Sequence, residues 1–213
     1  MLTILILLPL LTALILAMSN AKASRTVALA GSGIQLLFSL LLLQNYLTER
    51  AAGNTALFLF ESSSAWFPAL NINFHIGVDG ISIAMILLTA SVVFAGVLVS
   101  WKIEKMTKEF FLLLIILSAG AYGFFISLDL FLLFFFLEVA VIPKYLLIGI
   151  WGSGKKEYSA NKLALMLMGG SALVLVGLIG MYYNSGNSFD LVHLSTFHIP
   201  FYIQKIFFPF LFI

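Results

Sequence analysis

One carboxylate, Glu138, sits inside the run LFFFLEVAVIPKYLLIGIWG (133–152), among Phe, Leu, Ile and Val side chains that otherwise suit lipid. A charged side chain at a bilayer centre costs at least about 2.5–3.5 kcal/mol on insertion scales, and ionisable residues that persist there usually line a polar pathway. Two chemistries fit Glu138. It is either an acid held neutral by burial and hydrogen-bonded to a neighbouring helix, or a proton carrier governed by a nearby cation. A cation within about 4–6 Å favours the ionised carboxylate, whereas desolvation favours the neutral acid. Pro143, five residues on, lacks an N–H and clashes with the carbonyl of Val139, so a kink or a freed backbone acceptor is expected beside Glu138.

Two lysines flank this acid. Lys144 lies about 9 Å along the helix axis and 240° around it, so it does not share the face of Glu138. Snorkelling towards the interface accounts for it, and a catalytic role is the lesser reading. Lys162 opens the next apolar run, where it is either an interfacial anchor or the basic lip of a proton entry path. Asp129, in SLDL, suits the start of a helix, where the helix dipole favours its charge. Gly169, Gly170, Gly177 and Gly180 place small residues along one span, a pattern that lets helices pack closely in lipid.

These residues need a membrane to hold them. The 213-residue chain is 62% hydrophobic and only 9% charged, with a mean hydropathy of +1.12. A soluble domain carries about 25% charged residues. The composition therefore predicts an integral membrane protein. The net charge of +2 and the lack of a basic, aromatic-rich cluster give no sign of nucleic acid as a partner. Without cysteine there is no disulfide and no Cys-ligated cluster or zinc in this chain. His75, His193 and His198 are scattered without ligand spacing, so no metal site is expected.

A span of about 20 apolar residues crosses the hydrocarbon core. By that measure the fold is an all-α bundle of six complete spans, at roughly 2–18, 26–46, 80–101, 109–127, 130–150 and 162–183, with a seventh beginning near 200. The first is not a cleaved signal, because its basic residues, Lys22 and Arg25, follow the apolar run instead of preceding it. The last run ends the sequence at FFPFLFI without a polar cap, so we expect an N-terminal piece of a longer protein. Residues 1–108 hold the first three spans, with a loop at about 47–79, and residues 109–213 hold spans four to six and the start of the seventh. Alternating residues such as Leu70 to Phe74 predict a strand or hairpin in that loop, lying on the membrane surface with Trp66 and Phe67 at headgroup level.

Seven of the eleven basic residues fall between spans one and two, three and four, and five and six. The positive-inside rule makes those connections cytoplasmic and the N-terminus periplasmic.

The stretches HIGVDGISIAMILLT (75–89), SLDLFLLFFFLEVAVIPKYLLIGIWG (127–152) and YSANKLALMLMGGSALVLVG (158–177) closely resemble the antiporter-like, proton-translocating membrane subunits of NADH:quinone oxidoreductase, complex I. The resemblance covers the chain from about residue 70, and the preceding spans more loosely. It implies a fold of about fourteen membrane helices with two inverted five-helix repeats, each with a broken helix, and makes residues 109–213 an incomplete first repeat. It implies that Glu138 is the helix-five glutamate of proton translocation and that Lys162 occupies the sixth-helix lysine position. The family's helix-seven lysine cannot be carried over, because the sequence stops first. Leu137 replaces a usual Trp, and Lys144 a frequent Met. NADH, FMN, Fe–S clusters and quinone would belong to partner subunits, leaving no cofactor in this chain. Other complex I membrane subunits and the lipid of a bacterial inner membrane are the implied partners. Sodium/proton antiporter complexes and membrane-bound hydrogenases share the helix-five motif and form the alternative, together with a non-catalytic truncated membrane protein.

Overall fold

A computed structural model describes residues 1–198 and 200–212, with the side chain of Phe212 excepted. Ile199 and Ile213, the end of the last apolar run, lie outside the described residues. The chain runs α1 (Leu2–Met18), α2 (Ala21–Ala51), β1 (Leu59–Phe67), β2 (Ile72–Val78), α3 (Gly80–Val99), α4 (Thr107–Ile126), α5 (Leu130–Trp151), α6 (Lys156–Asn184), α7 (Leu191–Thr196) and α8 (Phe201–Phe212). The polytopic helical bundle expected from the sequence is what forms. Five helices, α2 to α6, are long and apolar enough to cross a membrane, while α1 and α8 are shorter apolar helices. At 17 residues, α1 is about 26 Å long.

The helices alternate in direction, and their packing divides the bundle into two ends. At one end Leu2, Leu5, Leu42, Ile83, Ile86, Tyr122, Ile126 and Leu132 pack with Leu59 and Ile76 of the strands. At the other, Ala13, Leu16, Ala28, Val97, Phe111 and Ile115 form a second cluster.

The second end gathers the basic connections. Arg25 Nη2 donates to the Ile103 carbonyl (3.0 Å), Lys108 Nζ to that of Ala17 (2.6 Å) and Lys105 Nζ to that of Ile150 (3.3 Å). Trp151 Nε1 donates to the Lys105 carbonyl at 2.7 Å. The three connections that hold the seven basic residues therefore touch one another at one end of the bundle.

The expected hairpin forms at the opposite end, with a shifted boundary. β1 and β2 are antiparallel, with Ser63 opposite His75 and Ala65 opposite Asn73. Strand β2 starts at Ile72 instead of Leu70, because Pro68–Leu70 makes a 3-10 turn and Asn71 adopts φ 51°. Proline fixes φ and lacks a donor, and asparagine tolerates the left-handed region, so the chain reverses there. Trp66 and Phe67 are exposed, and the Trp66 ring meets Phe135 of α5 edge-on at 5.4 Å. The hairpin thus leans on the helix that carries Glu138. The short helix α7 has no counterpart among the expected elements.

Candidate functional site

α5 starts where Asp129 caps it. Its Oδ1 accepts from the N–H groups of Phe131 (2.9 Å) and Leu132 (3.1 Å), and its Oδ2 accepts from Asn73 N of β2 (3.3 Å). Burial pushes the Asp129 carboxyl above its ordinary range, the three backbone donors pull it down, and nearby Asp190 pushes it up again. The structural role expected of Asp129 is the one it has.

From this cap α5 runs unbroken through Pro143 to Trp151. One face is fitted to α4. A Cβ on Gly120 would meet Ala140 Cβ and the Phe136 carbonyl at 3.1 Å, and one on Gly123 would enter the Phe136 ring. Small residues bring the two backbones together there.

Glu138 is on a different face. Phe131 and Phe134 pack with Val174, Leu178 and Tyr182 of α6. Val141 and Tyr145 line a pocket of about 450 Å³ with Asn161, Ala164, Leu165 and Met168 of the same helix. Residues three, four and seven apart share a helix face, so Glu138, between these two groups, faces α6. It lies eight residues into the helix, about 12 Å from its start. Glu138 is half-buried, and its Oε1 is buried without a hydrogen-bond partner among the described residues.

Neither lysine pairs with it. Among the described residues the only ion pairs involve His75. Lys144 is exposed at the edge of a separate groove of about 460 Å³ lined by α3, α4 and α5, including Leu88, Val92, Phe124 and Leu137. The separation of Lys144 from the Glu138 face is as its spacing required. Lys162 is exposed near the start of α6. The glycines of α6 divide: Gly177 and Gly180 pack against Leu211 and Phe207 of α8, whereas Gly169 and Gly170 face open space.

Two polar groupings were missed in the sequence. Ser32, Gln35 and Ser39 are buried along one face of α2, and Gln35 Oε1 accepts from Ser118 Oγ of α4 at 3.5 Å. Their i, i+3, i+7 spacing was a readable signal within an otherwise apolar span. The second grouping joins Glu61, His75 and Asp190: His75 Nδ1 lies 2.9 Å from Asp190 Oδ2, and His75 Nε2 lies 3.8 Å from Glu61 Oε2. Asp190 is 115 residues from His75, so no local motif announces it. Among the described residues no group of three or more His, Cys, Asp or Glu is placed to hold a metal ion.

Fold and site together define a polytopic membrane protein with one acid inside the span of α5. Residues 127–213 match the family model described as NADH:quinone oxidoreductase/Mrp antiporter, TM. The chain is 35% identical, over 94% of its length, to NADH-quinone oxidoreductase subunit M of Rhodobacter capsulatus, and covers 39% of that protein. It is 33% identical, over 96% of its length, to the chloroplastic NAD(P)H-quinone oxidoreductase chain 4 of Angiopteris evecta, and covers 41% of it. Over most of its length, then, the chain is a homologue of the subunit M and chain 4 proteins. It spans about two fifths of the length of these relatives. The same fold occurs in respiratory complex I from Thermus thermophilus, with a TM-score of 0.83 at 23% identity over 100% of this chain and 43% of that one. It also occurs in the Mrp complex from Dietzia sp., with a TM-score of 0.72 at 16% identity over 88% of this chain and 20% of that one.

Proposed function

We propose that this chain serves within a proton-translocating membrane subunit of NADH:quinone oxidoreductase, subunit M, and that Glu138 is its titrating group. The observation that carries the assignment is the buried Glu138 Oε1 without a hydrogen-bond donor among the described residues. A purely structural acid needs such a bond, because an unsatisfied buried polar group costs about 1–3 kcal/mol. An acid without one can bind or release a proton without breaking a contact that holds the helices together.

A cation brought close to Glu138 would expel its proton, and its withdrawal would draw one in. Lys162, at the basic end of α6, is assigned to the proton path, and Lys144 to the interface. The redox chemistry of NADH, FMN, Fe–S clusters and quinone belongs in this reading to partner subunits, with other membrane subunits beside this one. Residues 1–108 support the first antiporter-like repeat, to which 109–213 contribute. Applied to the single basic end, the positive-inside rule places that end in the cytoplasm of a bacterial cell and the hairpin in the periplasm.

A second reading, a subunit of a sodium/proton antiporter complex, is favoured by the family description, which spans both. Inverted membrane vesicles containing the assembled complex separate the two. NADH-driven proton uptake that is abolished by a protonophore and indifferent to sodium supports the first. Sodium flux driven by a pH gradient, without quinone reduction, supports the second.

A further inference from the structure

Three segments far apart in sequence meet beside His75. Its carbonyl accepts from Leu128 N at 2.8 Å, just before α5, and the Leu128 carbonyl in turn accepts from Leu191 N at 2.8 Å, the first residue of α7, which the connection from α6 leads into. Leu130 N donates to the Phe189 carbonyl at 2.9 Å, and Asn71 Nδ2 to the Asn187 carbonyl at 3.1 Å. Strand β2 therefore gathers the start of α5 and the exit of α6, the pair between which Glu138 lies.

The side chains add a titratable element to this junction. Asp190 divides its carboxylate: Oδ1 caps α7 through Val192 N (2.8 Å) and His193 N (3.2 Å), while Oδ2 meets His75 Nδ1 at 2.9 Å. The other ring nitrogen faces Glu61, whose side chain is 47% exposed, whereas that of His75 is 10% exposed. We propose that His75 is a positioning residue for proton translocation, a clasp that tightens on the α5–α6 pair when its imidazole is charged. This rests on the reading of Glu138 given above.

A neutral imidazole has one N–H and can donate to Asp190 or to Glu61, while the charged ring donates to both. Histidine is the residue type that changes charge between about pH 8 and 5. Acid on the hairpin side therefore closes the clasp. The surrounding groups agree with this sign. Glu61 comes from β1, Asp190 from the exit of α6, and Asp129, beside Asp190, from the start of α5. Among the described residues no lysine or arginine makes an ion pair with these three carboxylates. Of the other titratable groups near β2, Asp79 is turned to Ser82 N (2.7 Å), His193 stacks on Phe197, and Tyr122 of α4 packs in the core with Ile76. α3 carries no titratable side chain, and α1 offers only the chain's amino terminus. His75 is thus the cation that this junction can gain.

In operation the clasp is a brake on the product side: acidification there holds the ends of α5 and α6 together and slows rearrangement around Glu138. The test uses the assembled complex in vesicles, with the pH on the hairpin side varied and the other side fixed. Coupled proton transport in the unaltered protein should fall severalfold from pH 8 to about pH 5.5 on that side. His75→Gln keeps a donor to Asp190 and never charges, so the fall should disappear while the rate at pH 8 stays within about twofold. Hydrogen exchange, corrected for intrinsic rates, gives a second readout. Protection of the Leu128, Leu130 and Leu191 amides should rise with acid in the unaltered protein and stay flat in His75→Gln. An unaltered protein whose protection is independent of pH, or a His75→Gln variant with the original profile, overturns the clasp. If Glu138→Gln transports normally, the functional reading fails, yet the pH-dependent protection still reports on the clasp alone.

Discussion

The Tyr145 hydroxyl donates to Asn161 Oδ1 at 3.1 Å, tying α5 to α6 near the basic end of the bundle. Because the two helices are antiparallel neighbours, the bond places Lys144 and Lys162 at one depth, each one residue from it. Glu138, seven residues before Tyr145, lies about 10 Å deeper on the same side of α5. Of these two lysines, only Lys162 is on the helix that Glu138 faces. Lys144→Met is expected to leave coupled proton transport within about twofold of the original, in keeping with an interfacial cation. Lys162→Met is expected to lower it severalfold. Initial rates of proton uptake in vesicles check both.

The α4–α5 contact makes a prediction about stability. Gly123→Ala pushes a methyl into the Phe136 ring, buried between the two helices. Overpacking of this kind costs about 1–3 kcal/mol, so the variant complex should unfold at a lower temperature. Gly169→Ala, with open space at that position, should not change it.

Much of this arrangement was legible in the sequence. Apolar runs bounded by Lys, Gly and Asp marked where the long helices lie, although α2 runs five residues further at each end and α6 starts six residues earlier than expected. The basic connections foretold one shared end. The helical period also separated Lys144 from Glu138. What could not be read was non-local. His75 looked like one of three scattered histidines because its partners come from β1 and from beyond α6. All four α6 glycines fitted a packing stripe, yet only α8 decides that Gly177 and Gly180 are the packed pair. The tight glycines, Gly120 and Gly123, drew no notice because nothing local distinguishes them.

Asp129 links the hairpin to α5 and gives a pH prediction. Burial, opposed by the three backbone donors and reinforced by Asp190, leaves its carboxyl above the ordinary range. A raised carboxyl means that the folded protein favours the neutral acid. This contribution is fully present below the ordinary carboxylate range and is lost as pH rises through the raised one. Asp129→Asn keeps an acceptor for the cap and cannot ionise, so it should flatten that part of the stability-pH curve. Asp129→Ala should cost about 0.5–2 kcal/mol through loss of the cap. Thermal unfolding between pH 3 and 7 separates these outcomes.

The orientation proposed from the basic end has its own test. Single cysteines replacing Ala23 and Ser153, both exposed at that end, should react with an impermeant thiol reagent only from the cytoplasm. One replacing Ser63, exposed on β1, should react only from the periplasm.

The role of Glu138 has the most direct test. Glu138→Gln preserves shape and hydrogen-bonding capacity but removes titration, so the complex should assemble in normal amount. Glu138→Asp keeps the charge one methylene further back and should show a partial defect. The decisive measurement is the rate of NADH-driven quinone reduction together with proton uptake, in vesicles holding equal amounts of each assembled complex. Tight coupling predicts that Glu138→Gln loses both activities together. A Glu138→Gln complex that transports protons at the original rate, while Lys144→Met abolishes transport, would contradict the assignment and make Lys144 the titrating centre.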